Sequence, residues 1–287
     1  MNTGTLAPTG LAPTGLARRG RRLSDQETEQ RMLRAAVAMV SRTGLTVSLD
    51  HISFEDIIRD AGVSRSAVYR RWPYKDLFFS DLVQQLAKDA TPTIVDDELE
   101  LIRQIAASRP DWLEAPELRH RLLLELLRQL SLLDFQTMLG SPGWRTYLAL
   151  HATFMGLADG ALRDQVQAAL ARSEQAHNAR IAQAWRQLTA LFGYRLRPGS
   201  GVTFEAMATL LSATLRGLVV MALSSPDVAE HRVEASPFGA PAEGQWSLPA
   251  LGLGALASAF LEPDPAVEWD TEQIAAVRQG LATLSVP

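Results

Sequence analysis

The chain has 287 residues, 47% hydrophobic and 21% charged, proportions of a globular protein with ample length to bury a core. It contains 0 cysteines, which excludes disulfides, a thiolate nucleophile and a thiolate metal site. The formal charge of −4 is uneven: residues 1–90 hold 13 Lys+Arg and 10 Asp+Glu, a balance of +3, and the rest balances at −7, so a polyanion is expected to meet the front.

Uninterrupted apolar stretches such as Leu218–Leu223 fall far short of the roughly 18–20 residues that span a bilayer, and Arg216 stands just before that one. No N-terminal segment joins a basic start to an apolar run. The expectation is a cytoplasmic protein with no membrane partner.

Residues 1–23 open with Leu6-Ala7-Pro8-Thr9-Gly10, repeated as Leu11-Ala12-Pro13-Thr14-Gly15. Pro and Gly every five residues prevent a helix, so this stretch is expected to be disordered. Arg18-Arg19-Gly20-Arg21-Arg22 follows, a basic arm able to reach phosphates or a minor groove, although a solvated charge run reads the same way.

Residues 24–90 carry the pattern of a small helical domain. Met32, Leu33, Ala36, Val37 and Val40 recur at helical spacing within Glu27–Thr43, which Gly44 ends. Ser53 caps a second helix, Phe54–Ala61, with Phe54, Ile57 and Ile58 inward. Gly62-Val63 turns the chain and Ser64 caps a third helix, Arg65–Trp72. Pro73 stops it, and Lys75–Ala87 forms a fourth with Leu77, Phe78, Leu82 and Leu86 inside.

Two short helices joined through a glycine turn make a helix-turn-helix, whose second helix can enter a major groove N-terminus first. Val63 and Val68 would lock that helix in place, leaving Arg65, Ser66, Ala67 and Arg70 toward base edges. Tyr69, Arg71 and Lys75 are better placed for phosphates, which orient without reading sequence.

The run from Asp60 to Leu77 resembles the signature of the TetR family of bacterial transcriptional regulators. The matching residues are Gly62-Val63-Ser64 in the turn, Val68-Tyr69, Trp72, and Lys75-Asp76-Leu77-Phe78 opening the fourth helix. The resemblance covers residues 27–90 and implies phosphate contacts from Tyr69 and Lys75, with Arg65–Ala67 at the reading end. Arg71 stands where the family often has His or Tyr. The resemblance also implies an all-helical C-terminal domain that holds a small-molecule effector and forms a homodimer.

The remainder, 91–287, reads as that larger helical domain. Leu118–Leu133 has leucines around much of its circumference, as a helix through a core would. Trp144–Ala158, Ala161–Leu191 and Phe204–Leu223 follow, the last with Met207, Leu210, Leu211, Leu215, Leu218 and Val219 facing one way. Pro, Gly and Ser then concentrate in a long loop near 225–249, before short helices at Leu251–Leu261 and Thr271–Leu284. This tail is long for the family; it could extend a dimer interface or cover a pocket.

Candidates to line an effector pocket are Trp112, Trp144, Tyr147, His151, Phe154, Met155, Trp185 and Met207, although helical spacing equally describes core residues. His177 near Glu174 lacks a third metal ligand, and no metal or cofactor is expected. Hydrolase and phosphate-loop motifs do not occur. Asp96-Asp97-Glu98 suits a helix start, whose positive end favours acids.

The reading is an all-α protein with an N-terminal helix-turn-helix DNA-binding domain and a larger helical ligand-binding and dimerisation domain. Its expected function is that of a repressor, not an enzyme, binding a near-palindromic double-stranded operator as a homodimer until a small-molecule effector releases it. Two rivals are a helical ligand-binding or enzymatic protein that no longer binds DNA, and a DNA-binding protein without an effector.

Overall fold

The computed structural model describes residues 23–44, 52–89, 96–240 and 242–283. The basic arm and the Leu-Ala-Pro-Thr-Gly repeat lie outside the described residues. Within them the chain is all-α, with four short strands as trim.

Helix α1 is Asp25–Thr43, two residues longer at its start than periodicity predicts. A reciprocal cap sets that start: Ser24 Oγ accepts from Glu27 N at 3.0 Å, and Ser24 N donates to Glu27 Oε2 at 2.7 Å. Helix α2, Phe54–Ala61, is capped by Ser53 and ends at Gly62, whose φ of 62° is left-handed. Helix α3 is Arg65–Arg71, capped by Ser64, and α4 is Lys75–Asp89. Met32, Ala36, Val40, Ile57, Val68, Trp72, Phe78 and Leu82 form the core of this front unit. Leu77, expected inside, is 49% exposed. It lies in the first turn of α4, and Phe78, about 100° further round the helix, occupies the core position instead.

The rear domain comprises α5 (Asp96–Ser108), α6 (Pro116–Gly140), α7 (Pro142–Met155), α8 (Ala161–Leu191) and α9 (Phe204–Ser224), followed by α10 (Asp227–Glu230), α11 (Leu248–Phe260) and α12 (Thr271–Thr283). Helix α9 is long and apolar enough, by length and composition alone, to cross a membrane. Here it buries Met207, Leu211, Leu215 and Val219 against α6, α8 and α11. Leu210, expected on that buried side, is exposed; it belongs to a second apolar stripe with Val220 and Met221 on the outer face.

The stretch expected to be a loop near 225–249 is ordered. After α10, strands β2 (Arg232–Ala235) and β3 (Gly244–Ser247) pair as an antiparallel hairpin, from Arg232 opposite Ser247 to Ala235 opposite Gly244. Proline and glycine occupy its tip, where Phe238 adopts φ 61°, while Trp246 buries against Leu124 and Ala250. Strand β1 (Tyr194–Leu196) pairs with β4 (Leu261–Pro263), tying the end of α8 to the segment after α11. The tail thus closes over the bundle: Trp269 donates from Nε1 to the Leu113 carbonyl at 2.8 Å.

The two domains share packing. Leu150 of α7 and Val166, Ala169 and Leu170 of α8 belong to the same buried cluster as α1–α4.

Candidate nucleic-acid interface and effector cavity

The Gly62 turn sets α3 across α2, and Val68, fully buried, fixes which side of α3 faces out. Ser64 Oγ accepts from Ala67 N at 3.3 Å, so the first turn of α3 is held while Ser64, Arg65 and Ser66 stay exposed and Ala67 is half-buried. Ser53 does the same for α2, accepting from Asp56 N at 3.2 Å. Glu55 of α2 reaches over this edge: its carboxylate takes Arg65 Nη2 at 2.7 Å and the Tyr69 hydroxyl at 3.3 Å. The Tyr69 ring stands edge-on to Phe54 at 6.0 Å between centroids.

Four cations line this edge in different states. Lys75, at the start of α4, is exposed and has no ion pair among the described residues. Arg65 is exposed with only a surface pair to release, an interaction of roughly 0–1 kcal/mol. Arg70 turns back to Asp25 of α1, with Nε 3.1 Å from Oδ1. Arg71 lies over the Trp72 ring between Glu29 at 2.9 Å and Asp81 at 3.2 Å, and Trp72 Nε1 donates to that same Asp81 oxygen at 2.8 Å. Arg65, Ser66, Tyr69 and Lys75 therefore form the outward edge. Arg70 and Arg71 brace α3 against α1 and α4, and a DNA contact from either would require exchanging carboxylate for phosphate.

The rear domain encloses a cavity of about 740 Å³ between α5, α6, α8, α9 and α11, within the size range of small-molecule sites. Of the residues expected to line it, Trp144 and Trp185 do. Tyr147 is buried directly behind Trp144, ring centroids 5.3 Å apart. The others are elsewhere. Trp112 packs beneath Arg109 among α5 and α6, and Met207 is core. Phe154 packs toward the front domain under Arg163, and Met155 is 76% exposed at the end of α7. His151 is half-exposed, its Nδ1 2.9 Å from the Tyr147 carbonyl and its Nε2 3.7 Å from Glu174; burial, aided by Arg216, holds its pKa below the usual histidine value.

Polar groups on the cavity wall that sequence reasoning did not assign to a pocket include Arg119, His120 and Asp134 of α6, Glu98 of α5, Arg216 of α9 and Tyr194 of β1. A signal existed. Arg119, Leu123, Leu127, Leu130 and Asp134 follow one another at four- and three-residue steps, a polar group at each end of an apolar row. Arg216 gives Nη1 to Glu174 at 2.5 Å and lies across the Trp144 and Tyr147 rings. Burial pushes the Asp134 carboxyl well above the usual carboxylate range, and neighbouring Glu98 adds to it. Among the described residues, no group of three or more His, Cys, Asp or Glu is placed to hold a metal ion.

The front unit is a helix-turn-helix presenting a basic edge, and the rear is a helical bundle around a cavity. No protein-family profile matches the chain. Over 84 residues, 28% of this chain, it is 36% identical to an uncharacterized HTH-type transcriptional regulator of Mycobacterium tuberculosis. An uncharacterized HTH-type transcriptional regulator of Mycobacterium bovis is 38% identical over the same length. The chain matches 42% of the length of each of these relatives. A crystal structure of a candidate TetR-family transcriptional regulator from Mesorhizobium loti is similar at 16% identity and a TM-score of 0.44, covering 83% of this chain and 98% of that one.

Proposed function

We propose that the chain is a TetR-type transcriptional repressor that binds a near-palindromic operator as a homodimer and leaves it when a small molecule fills the rear cavity. The observation that carries this reading is the exposed edge of α3 and α4, where Arg65, Ser66, Tyr69 and Lys75 stand together at a capped helix start. Arginine at such an edge can grip guanine O6 and N7 with two bonds, while Lys75 and Tyr69 take phosphates. The 84-residue likeness to regulators named as HTH-type supports the same assignment.

The dimer reading is supported by α9. A helix with apolar residues on two opposite faces needs a partner for each. The inner face has the bundle; the outer face presents Leu210, Val220, Met221 and Leu223, beside a shallow groove shared with Leu248 and Leu251 of α11. A second copy of the chain is the occupant that also delivers two reading helices, which must lie about 34–36 Å apart, or a multiple of that, to meet successive major grooves.

Coupling between cavity and DNA is supported by the shared packing. Trp144 on the cavity wall and Leu150 against the front core are on one helix, α7. His177 and Trp185 likewise share α8 with Val166 and Leu170. A ligand that shifts α7 or α8 would move α4 and with it the spacing of the two reading edges. It releases DNA by the difference in its affinities for the bound and released states.

Selection of bound fragments from genomic DNA tests the proposal. Enrichment of one inverted-repeat motif, with two subunits per site, is expected. Recovery without a common motif would contradict it.

A further inference from the structure

The chemistry of the cavity narrows what it can hold. Arg119 is only 6% exposed, faces the cavity, and is paired with no carboxylate among the described residues. Its Nε and Nη1 have no hydrogen-bond partner among the described residues. Its guanidinium lies against two aromatic rings, 4.6 Å from the Trp269 centroid and 5.3 Å from that of Tyr194, and shares a hydrogen bond with the Tyr194 side chain. The polar groups beside it are already committed. His120 Nε2 is 2.9 Å from the Phe238 carbonyl and must donate to it, so Nδ1 accepts from the Tyr194 hydroxyl at 3.1 Å. A buried cation with idle N–H groups is a costly arrangement unless an anion completes it.

The rest of the lining sets the shape of that anion's bearer. From Arg119 the wall runs along α6 through Leu123, Leu127 and Leu130 to Asp134, 15 residues further on, or about 22 Å at 1.5 Å per residue. The far end is acidic, with Glu98 hydrogen-bonded to the Asp134 carboxyl, whose Oδ1 is buried without a partner among the described residues. Arg197 and Arg216, the other arginines on the wall, already have Glu262 and Glu174. One end is therefore positive, the middle apolar and the other end acidic, with Asp134 and Glu98 side by side.

We propose that this cavity takes an elongated, apolar monocarboxylate, its head on Arg119 and its chain laid along α6. This deepens the effector reading of the cavity and rests on it. The hairpin and the segment after α11 complete the head site, because Phe238 positions His120 and Trp269 stacks on Arg119. Gly254 leaves room for the Phe238 ring, which a Cβ there would strike.

Calorimetry of the full-length chain with tetradecanoate, tetradecanol and tetradecanedioate tests the proposal. Tetradecanoate is expected to bind about 10- to 100-fold more tightly than the alcohol, the range of a hydrogen-bonded charge. The dicarboxylate is expected to bind more weakly than the monocarboxylate, since its second charge meets Glu98 and Asp134. Arg119→Gln should erase the preference for acid over alcohol while leaving alcohol binding within about threefold. Arg119→Met should do the same without lowering the thermal midpoint of the unliganded protein, because it removes an uncompensated buried charge.

Equal binding of acid and alcohol by the unaltered chain overturns the proposal, as does binding of none of the three, or equal loss of both ligands in Arg119→Gln. Operator release is read separately. Tetradecanoate that binds through Arg119 and leaves operator affinity unchanged upholds the ligand class and overturns the effector reading. Selective operator binding by a chain indifferent to carboxylates does the reverse.

Discussion

The front and rear domains are both bundles of helices, yet they use their polar residues in opposite ways. In the front unit the functional groups are outside, on helix starts fixed by Ser53, Ser64 and Gly62, and the core of Trp72, Phe78 and Leu82 only supports them. In the rear domain a set of polar groups lines the cavity, where Arg119 has no carboxylate among the described residues and burial raises the pKa of Asp134. A surface that reads DNA can be assembled from local signals such as caps and turns. A cavity is assembled by residues distant in the chain, such as His120 and Phe238, in contact though 118 positions apart.

The largest expected effect attacks the front core. Trp72 is fully buried, edge-on to Phe78 and bonded to Asp81, so Trp72→Ala is expected to cost about 3–5 kcal/mol in chemical denaturation and to abolish DNA binding. An unchanged midpoint would mean that the front unit is not held by this core.

Comparable in size, Met221→Asp places a charge on the outer face of α9, at a cost to dimerisation of about 3–5 kcal/mol if the partner chain buries it. Light scattering should then show a monomer that still unfolds cooperatively. A dimer as stable as the original would place the interface elsewhere.

Smaller is the loss at the reading edge. Arg65→Ala should lower operator affinity by about 1–3 kcal/mol and random-duplex affinity much less. Lys75→Ala should weaken both alike and reduce the salt slope by about one. Equal losses from the two substitutions would remove the distinction between a base reader and a phosphate anchor.

The subtlest effect concerns pH. The folded protein holds the Asp134 proton more tightly than the unfolded chain does, because its carboxyl is buried and Glu98 is beside it. Its contribution is therefore fully present below the ordinary carboxylate pKa and is lost as pH rises through the higher folded value. Asp134→Asn should flatten that decline and raise stability at neutral pH, measured as thermal midpoints across a pH series. A decline unaltered by the substitution would place its source elsewhere.

How much could be read in the sequence follows the same division. The front helices were legible because Ser53, Ser64 and Gly62 act within three or four residues of the atoms they satisfy; Ser24 acts as locally but was passed over, so α1 was read two residues short. Even there, Leu77 was misplaced, since which of two adjacent apolar residues faces inward depends on how α4 docks. In the rear, aromatic residues on α7 suggested a pocket, but only Trp144 of that helix reaches it, because α7 turns its other faces to α8 and the front domain. The hairpin at 232–247 was masked by its Pro- and Gly-rich tip, although Arg232–Ala235 and Gly244–Ser247 on either side are paired strands.

The central claim is that the α3 edge reads DNA sequence, and a salt series tests it most directly. Binding of the purified chain to its selected fragment and to random duplex should be followed for the unaltered protein and for Arg65→Ala. The account predicts a preference for the selected fragment that persists across salt while both affinities fall, and that Arg65→Ala narrows without changing the slope on random DNA. Equal affinity for both duplexes at every salt concentration would contradict it.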